Sequence, residues 1–331
     1  MQIVTTTAAQ WRRRPEAAKL CQDYAFVADA WPGWEPVQAA GALLAGLGDE
    51  LPLVALQDGG AWRWLAGVER LEFDSRVFGL PAGRLQPLLH TGAWPQEAEL
   101  QAGAEFMAAA LELARGEGLE FLSARVPCRD FLAAQVLEGA GFRLVDASVE
   151  WLVGLGELPP AGALPEGLAI RPWRAGEEET LAELAGRMMC ELESYTDRFA
   201  LDPRLRGHCP GLYRRWLLNC LSGDQADQVL VLEAGGRPAG FIALRLPKGG
   251  GPGADCGWVV LNALDHPWRG RGLYHHLLRA GLGWLAARGA GRARVRTKLS
   301  QQAVIRAFAR LGGRQVQADF TFHLWLDRSQ E

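Results

Sequence analysis

The chain has 331 residues, of which 49% are hydrophobic and 22% charged, and its formal net charge is −3. This length suits two domains, and this composition excludes a largely disordered, collagenous or coiled-coil chain. Nucleic acids and anionic lipids attract proteins that carry a positive field. The near-neutral charge therefore predicts no nucleic-acid partner and no membrane-surface partner.

The spacing of cysteine and histidine indicates neither a metal site nor a disulfide scaffold. The six cysteines include no C-x-x-C pair. We therefore expect no bound metal and a reducing, cytoplasmic location. No apolar run is long enough for a membrane span, and no apolar segment follows the three arginines at 12–14, so we also expect no secretory signal.

In chain order, the first half gives the weaker pattern. Residues 1–60 are interpreted as an N-terminal extension, and residues 61–154 as a domain whose last strand is predicted at 147–153. The segment 155–167 is rich in Pro and Gly and predicts a linker. A second domain is then expected at 168–331.

The second half gives a clear order of elements. A helix is predicted where apolar side chains recur at three- and four-residue spacing between Leu181 and Leu192. Strands are predicted at 168–172, 229–233, 239–246, 257–264, 292–297 and 320–326, and further helices at 212–221, after 272, and at 301–311. This order is typical of an α/β fold, a mixed sheet flanked by helices.

An internal repeat relates two segments 171 residues apart. Residues 121–153 and 292–326 both read strand, helix, glycine turn, strand. When Arg125 is aligned with Arg296, Gly141 falls on Gly312. We expect a tandem of two copies of one α/β unit; the alternative is that any two β-α-β units look alike.

The segment that carries chemistry lies between the strand at 257–264 and the next helix. Its residues are Arg269, Gly270, Arg271, Gly272, Leu273 and Tyr274. A helix N-terminus presents unpaired N–H groups and a partial positive charge, and glycines let a phosphate approach that backbone closely. The turn therefore predicts a pyrophosphate site. It is not a P-loop, because no Lys-Ser/Thr pair follows, and it lacks the third Gly of a dinucleotide fingerprint.

This region resembles motif A of the GNAT superfamily, the acyl-CoA-dependent N-acyltransferases. It consists of a strand, the sequence DHPW at 265–268 and then the turn. The resemblance implies a GNAT-like fold and N-acetyltransferase activity, with acetyl-CoA or another acyl-CoA as co-substrate and no metal. The first half has no equivalent turn. The N-terminal copy is therefore expected to be degenerate, and only the C-terminal copy to bind CoA.

The resemblance also implies a role for individual residues. Backbone groups of Ala263, Leu264 and Asp265 would pair with the pantetheine arm of CoA like an added strand. The turn at 269–274 would hold the pyrophosphate, and Gln301 would reach the pantetheine from the following helix. Tyr274 departs from the Gly or Ala that the family has at this position.

A narrower resemblance concerns the acceptor. Two regions resemble segments of the TDP-fucosamine acetyltransferase group. They are the sequence DRF at 197–199 with Asp202 and Tyr213, and the sequence LEFDSRVFG at 71–79. The resemblance implies a nucleotide-linked amino sugar as the small-molecule amine acceptor, in contact with Arg198, Asp202 and Tyr213. The alternative is that the aromatic side chains belong to the core and that Arg198 pairs with a neighbouring acid.

The catalytic groups are left open. Four side chains are candidates for the base that takes up the amine proton: Glu191, Glu193, Asp202 and His266. The family's thiolate-protonating Tyr falls on Phe308, which has no proton to give. Solvent, Tyr195 or Ser300 would replace it, or the domain is a catalytically weak acyl-CoA-binding or regulatory module. A transferase acting with tRNA is a third hypothesis, which the near-neutral charge disfavours.

Overall fold

The computed structural model describes residues 1–14, 19–20, 35–160, 162–191, 197–247 and 254–326. The chain forms two compact units: unit 1 contains Met1–Ala147 and Gln317–Glu331, and unit 2 contains Ser148–Val316. The strands are β1 (Gln2–Thr7), β2 (Pro52–Asp58), β3 (Ala61–Arg70), β4 (Ala82–His90), β5 (Phe121–Pro127), β6 (Arg143–Gly154), β7 (Leu168–Pro172), β8 (Gln228–Ala234), β9 (Arg237–Arg245), β10 (Cys256–Leu264), β11 (Arg292–Lys298) and β12 (Arg314–Trp325). The α-helices are α1 (Ala8–Arg12), α2 (Pro36–Ala45), α3 (Glu72–Phe78), α4 (Glu97–Gly116), α5 (Phe131–Gly139), α6 (Glu178–Met188), α7 (Arg198–Leu201), α8 (Cys209–Leu221), α9 (Leu273–Ala286) and α10 (Gln302–Arg310).

Unit 1 is a mixed sheet in the order β1-β2-β3-β4-β5-β12, with the β4–β5 pair parallel. Side chains alternate between its two faces. One face buries Trp64 together with Phe106 of α4, and the other buries Leu53 together with Trp11 of α1. Because residues 1–60 supply β1 and β2 of this sheet, they belong to unit 1 and are not an extension outside the fold.

Unit 2 is a mixed sheet in the order β6-β11-β10-β9-β8-β7, with the β10–β11 pair parallel. Helix α9 packs on β9 so closely that a Cβ added at Gly281 would lie 2.8 Å from Ile242 Cδ1. Helix α6 packs equally closely on the start of α8, at Gly186 and Pro210. The α/β order predicted for the second half is confirmed.

The internal repeat is confirmed residue by residue. The first and last residues of β5, α5 and β6 stand 171 positions before those of β11, α10 and β12. Gly141 and Gly312 follow the two equivalent helices with φ angles of +89° and +75°, in the left-handed region that favours glycine. The fold therefore contains two copies of one α/β unit.

The last strand of each copy completes the sheet of the other. In unit 1, β12 pairs with β5, and Trp325 lies opposite Phe121. In unit 2, β6 pairs with β11, and Gly154 lies opposite Arg292. The compact units consequently divide the chain inside β6 and inside β12, whereas the sequence placed the domain boundary at 154/155. Alternation of apolar residues predicts a strand but does not say which strand it pairs with.

One disulfide corrects the expectation drawn from cysteine spacing. Cys190, just after α6, is bonded to Cys209, the first residue of α8, across a Cα–Cα distance of 6.2 Å. The packing of α6 on α8 brings together two cysteines that are 19 residues apart in the sequence. Cys128, Cys220 and Cys256 are free.

Two further features concern membranes and metals. Within the described ranges, no helix combines the length and apolar character needed to cross a membrane. The same residues contain no group of three side chains of the His, Cys, Asp or Glu type placed to hold a metal ion.

Candidate active site

The central feature of unit 2 is a fork between two parallel strands. β10 and β11 are in register from Cys256, opposite Arg292, to Val259, opposite Val295, and the register ends there. β10 continues along β9 as far as Leu264, after a β-bulge between Val259 and Leu261. From the bulge onward, β10 therefore offers the edge that faced β11 to an added strand.

The fork opens toward the N-terminus of α9. Gly270 and Gly272 have φ angles of +73° and +76°, which only glycine adopts without strain, and Gly272 is the N-cap residue of α9. No side chain among the described residues caps this helix. Its first N–H groups therefore have no acceptor within the helix and stand at the positive end of the helix dipole, which suits a phosphate.

The two arginines of the turn have different surroundings. The Arg269 guanidinium turns inward, donating from Nε to the Leu264 carbonyl at 2.8 Å and pairing through Nη1 with Glu191 at 2.9 Å. The exposed Arg271 guanidinium lies 5.2 Å from the centre of the Trp268 ring. Arg271 is therefore the arginine of the turn that suits direct contact with a phosphate, and Arg269 holds the turn in place.

The predicted pantetheine-binding residues lie at the end of β10. Ala263 and Leu264 are opposite Phe241 and Gly240 of β9, and the N–H of Asp265 donates to the Ala239 carbonyl at 2.8 Å. The Asp265 carboxylate accepts from the His266 N–H at 2.9 Å and pairs with Arg187 at 3.0 Å. The backbone of Ala263–Asp265 is thus paired with β9 on one side. Its other edge is the one to which an added strand would bind.

The departure at Tyr274 has a structural explanation. Its hydroxyl donates to Asn262 Oδ1 at 3.0 Å, so the first turn of α9 is tied to the forked part of β10. Burial raises the pKa of the Tyr274 phenol. The phenol is therefore held against β10. Sequence reasoning missed Asn262, because only the register of β10 shows that it faces α9.

Gln301 and Phe308 belong to the segment that follows β11, the second strand of the fork. Gln301 is the N-cap residue of α10, and its N–H donates to the carbonyl of Lys298, the last residue of β11, at 3.0 Å. Phe308 is 1% exposed within unit 2. The position at which the family has a phenol is therefore occupied by a buried hydrocarbon ring.

The three predicted acceptor residues lie close together in the segment from α7 to α8. The Arg198 guanidinium is 4.3 Å from the centre of the Phe199 ring. Asp202 is buried and accepts from the Arg204 N–H at 3.0 Å, and the buried Tyr213 hydroxyl donates to Asp197 Oδ2 at 2.6 Å. Both buried groups hold this segment together. Their contact with an acceptor stays a prediction.

The base candidates are also placed. The Glu191 carboxylate is engaged by Arg269, and His266 is exposed in a short 3₁₀ turn before the glycine turn at 269–274, which is named the donor turn below. Glu193 and Tyr195 lie outside the described residues. Ser300 is exposed at the N-terminal end of α10.

A charged cluster that the sequence did not reveal lies on β11. The buried Glu150 of β6 lies 2.6 Å from Arg294 Nε and 2.9 Å from Arg296 Nη2. The Arg294 guanidinium also lies 5.3 Å from the centre of the Trp258 ring on β10. Arginines at alternate positions of a strand share one face, which is the signal that could have found this cluster.

Unit 1 has a similar fork, but its own side chains close it. β4 and β5 are in parallel register from Ala82 to Leu85, and a β-bulge again interrupts the adjoining β3–β4 pair. His90 Nε2, at the end of β4, lies 2.7 Å from Oδ1 of Asp130, the N-cap residue of α5. Both side chains are buried, and the centre of the His90 ring lies 4.6 Å from that of Trp64, with the two rings tilted by 34°. This bond joins the two arms of the fork.

Known proteins share this architecture. A GCN5-related N-acetyltransferase from Sphaerobacter thermophilus superposes with a TM-score of 0.62 at 18% identity, over 98% of this chain and 95% of that one. A tandem GNAT protein of the clavulanic acid biosynthesis pathway superposes with a TM-score of 0.56 at 18% identity, over 99% of both chains. The chain has the GNAT fold.

Other comparisons are narrower. Residues 191–313 match the model of the acetyltransferase (GNAT) family. A glucosamine N-acetyltransferase region of a fungal multi-domain β-N-acetylglucosaminidase superposes with a TM-score of 0.64 at 15% identity, over 98% of this chain and 38% of that one. No curated protein matches the chain. The family match covers the fork and the glycine turn, and together with the GNAT fold it supports an N-acetyltransferase.

Proposed function

We propose that this protein is an acyl-CoA-dependent N-acetyltransferase with its donor site in unit 2. The observation that carries the proposal is the β10–β11 fork, which leads to an uncapped helix N-terminus behind a Gly-Arg-Gly turn. The fork offers an open strand edge, and the turn offers N–H groups and a positive charge. An extended amide-containing arm that ends in a pyrophosphate matches both.

The residues of unit 2 fit acetyl-CoA, whose thioester supplies the activated acyl group. The backbone of Ala263, Leu264 and Asp265 would bind the pantetheine arm, and Gln301 would face it from α10. Backbone groups at Gly270, Arg271, Gly272, Leu273 and Tyr274 would bind the pyrophosphate. N–H groups of β10 near the bulge at Val260 are available for the negative charge that develops on the acyl oxygen.

For the acceptor we propose a small amine, with a nucleotide-linked amino sugar as the specific class. The support is the resemblance of the segment around Arg198, Asp202 and Tyr213 to the TDP-fucosamine acetyltransferase group. The cytoplasm is the proposed compartment. It is supported by three free cysteines, which persist most readily under reducing conditions, and there the Cys190–Cys209 disulfide would be open to reduction.

Phe308 favours a second candidate, an acyl-CoA-binding or regulatory module with weak catalysis. A general acid contributes about 10²–10⁴ in rate, so its loss slows transfer without abolishing it. If the lack of a phenol limits the rate, Phe308→Tyr should raise kcat by a factor that approaches about 10²–10⁴. The enzyme proposal predicts that wild type already transfers acetyl groups and that the variant leaves kcat unchanged.

Calorimetric titration with CoA, followed by a thiol-release assay over a panel of amines that includes nucleotide-linked amino sugars, tests the proposal. We expect one CoA per chain, because His90 and Asp130 close the fork of unit 1. Absence of CoA binding would contradict both candidates. Binding without thiol release on any amine would favour the module, and release with other amines alone would remove the amino-sugar assignment.

A further inference from the structure

The end of α6 and the residues that follow it hold the donor turn at several points. Arg187 of α6 pairs with Asp265 at 3.0 Å. Three positions after the helix, Glu191 pairs with Arg269 at 2.9 Å, and the Met188 sulfur lies 3.3 Å from Arg269 Nη2. The end of β10 and the start of the turn are therefore both attached to one short segment, 187–191.

Arg269 is fixed by these contacts on every nitrogen. Nε donates to the Leu264 carbonyl, Nη1 to Glu191 and Nη2 to the Met188 sulfur. A guanidinium presents its donors in a rigid plane, so three partners in three directions set both its position and its orientation. Because Arg269 directly precedes Gly270, its side chain also sets where the turn begins.

The Cys190–Cys209 disulfide anchors the same segment. Cys190 lies between Met188 and Glu191, and its partner is the first residue of α8. Hydrogen bonds of α6 do not extend to Glu191, which lies beyond the C-cap residue Met189. The covalent link to α8 therefore lies one residue before Glu191 in the chain.

We propose that Glu191 and Arg269 are positioning residues for the donor turn and that the Cys190–Cys209 disulfide makes donor binding sensitive to reduction. This inference rests on the proposed function, since it concerns the same site. The reductant is a dithiol. It gives two electrons and two protons, the S–S bond breaks to give two thiols, and the dithiol becomes a disulfide. The segment 187–191 then loses its covalent link to α8, and the donor turn is held less firmly.

The free cysteines of the described residues do not obscure the effect of disulfide reduction on donor binding. Burial raises the pKa of Cys128 to about 11, of Cys220 to about 12 and of Cys256 to about 11. These groups stay as unreactive thiols near neutral pH, because the thiolate is the form that exchanges with disulfides. A reversible change on reduction that the double variant Cys190→Ser/Cys209→Ser lacks is then attributable to Cys190 and Cys209.

The test compares CoA affinity and kinetics in four proteins. These are wild type, Glu191→Gln, the control Glu183→Gln and the double variant Cys190→Ser/Cys209→Ser, each with and without dithiothreitol. Glu183 is an exposed residue of α6 that pairs with Arg214 at 3.9 Å, away from the donor turn. We expect Glu191→Gln to raise the CoA Kd and the donor KM about tenfold, as loss of a charge-assisted pair predicts, with kcat and acceptor KM unchanged. Glu183→Gln should match wild type.

Reduction should raise the wild-type Kd to the value of the double variant, which itself should not respond to dithiothreitol. Wild-type affinity in Glu191→Gln would overturn the positioning role, and equal affinity of oxidised and reduced wild type would overturn the redox role. If the double variant does not fold, the wild-type pair of measurements still decides the redox role. Wild type that binds no CoA would instead overturn the proposed function, so the two failures are distinguishable.

Discussion

Arg269 and Arg271 show how neighbouring side chains of one type take different tasks. They are two residues apart in the same turn, yet one is enclosed by the end of α6 and the other lies exposed against Trp268. The sequence predicted the turn and its phosphate chemistry but assigned both arginines to the phosphate. The difference depends on Glu191, which is 78 residues from Arg269 and was considered only as a catalytic base.

Gly272 provides the sharpest test at the residue scale. An added Cβ would meet open space both here and at Gly289, just beyond the C-terminus of α9, where φ is +87°. Each alanine substitution therefore costs about 1–2 kcal/mol of stability through its left-handed backbone. We expect Gly272→Ala also to weaken CoA binding, since it displaces the N–H groups of the turn, whereas Gly289→Ala retains wild-type affinity. Calorimetry and thermal unfolding measure the two effects. Equal CoA affinity in both variants would contradict the assigned site.

At the scale of elements, helices and strands of unit 2 were predictable because apolar periodicity is local. The strand predicted at 168–172 matches β7, and the predicted 257–264 strand differs from β10 by one residue. The fork was not predictable from the residues alone. It depends on where the register of β10 and β11 ends, and no residue in either strand encodes that point by itself.

The edge strand β7 is held by a charged cluster. Arg171 of β7 pairs with Glu177, the N-cap residue of α6, and with Glu233 of β8. All three side chains are less than one fifth exposed. The hydrogen bond from Arg171 lowers the pKa of Glu177 below its usual 4.5. Its stabilising effect is therefore present above about pH 4.5 and is lost as the pH falls through the lowered pKa.

We expect Glu177→Gln to destabilise the protein by about 1–2 kcal/mol at pH 7. This difference from wild type should shrink toward zero as the pH falls below 4. Denaturant unfolding of both proteins between pH 3 and pH 7 measures it. Glu166→Gln, which alters an exposed carboxylate in the connecting segment, serves as the control and should follow wild type at every pH. A pH-independent difference for Glu177→Gln would contradict the ionic role.

At the scale of the whole molecule, the domain boundaries depend on an exchange of strands, in which β6 pairs with β11 of the second copy and β12 with β5 of the first. The Pro- and Gly-rich segment 155–167 lies between β6 and β7, but it does not separate two independent sheets. Unit 1 needs β12 against β5, and its buried Phe322 belongs to the core around Phe106.

Cleavage at a protease site placed within 155–167 tests this exchange. We expect the two fragments to elute together, because the second contributes β12 to unit 1 and the first contributes β6 to unit 2. Size-exclusion chromatography before and after urea treatment measures the association. A cleaved chain that also ends at Val316 lacks most of β12 and should lose the folded unit 1, whereas one that ends at Leu326 should behave as the cleaved full chain. Separation of the fragments without denaturant would contradict the exchange.

The position of β12 also has a consequence for synthesis. A ribosome delivers the chain from its N-terminus, and domains usually fold in that order. Unit 1 contains Met1–Ala147, but the strand that pairs with β5 comes from Gln317 onward. The edge of β5 that pairs with β12 therefore lacks this partner while unit 2 is translated. The first half to emerge is thus the last to be completed. A chain interrupted late in translation should expose that edge to other chains, which makes full-length synthesis a condition for solubility as well as for activity.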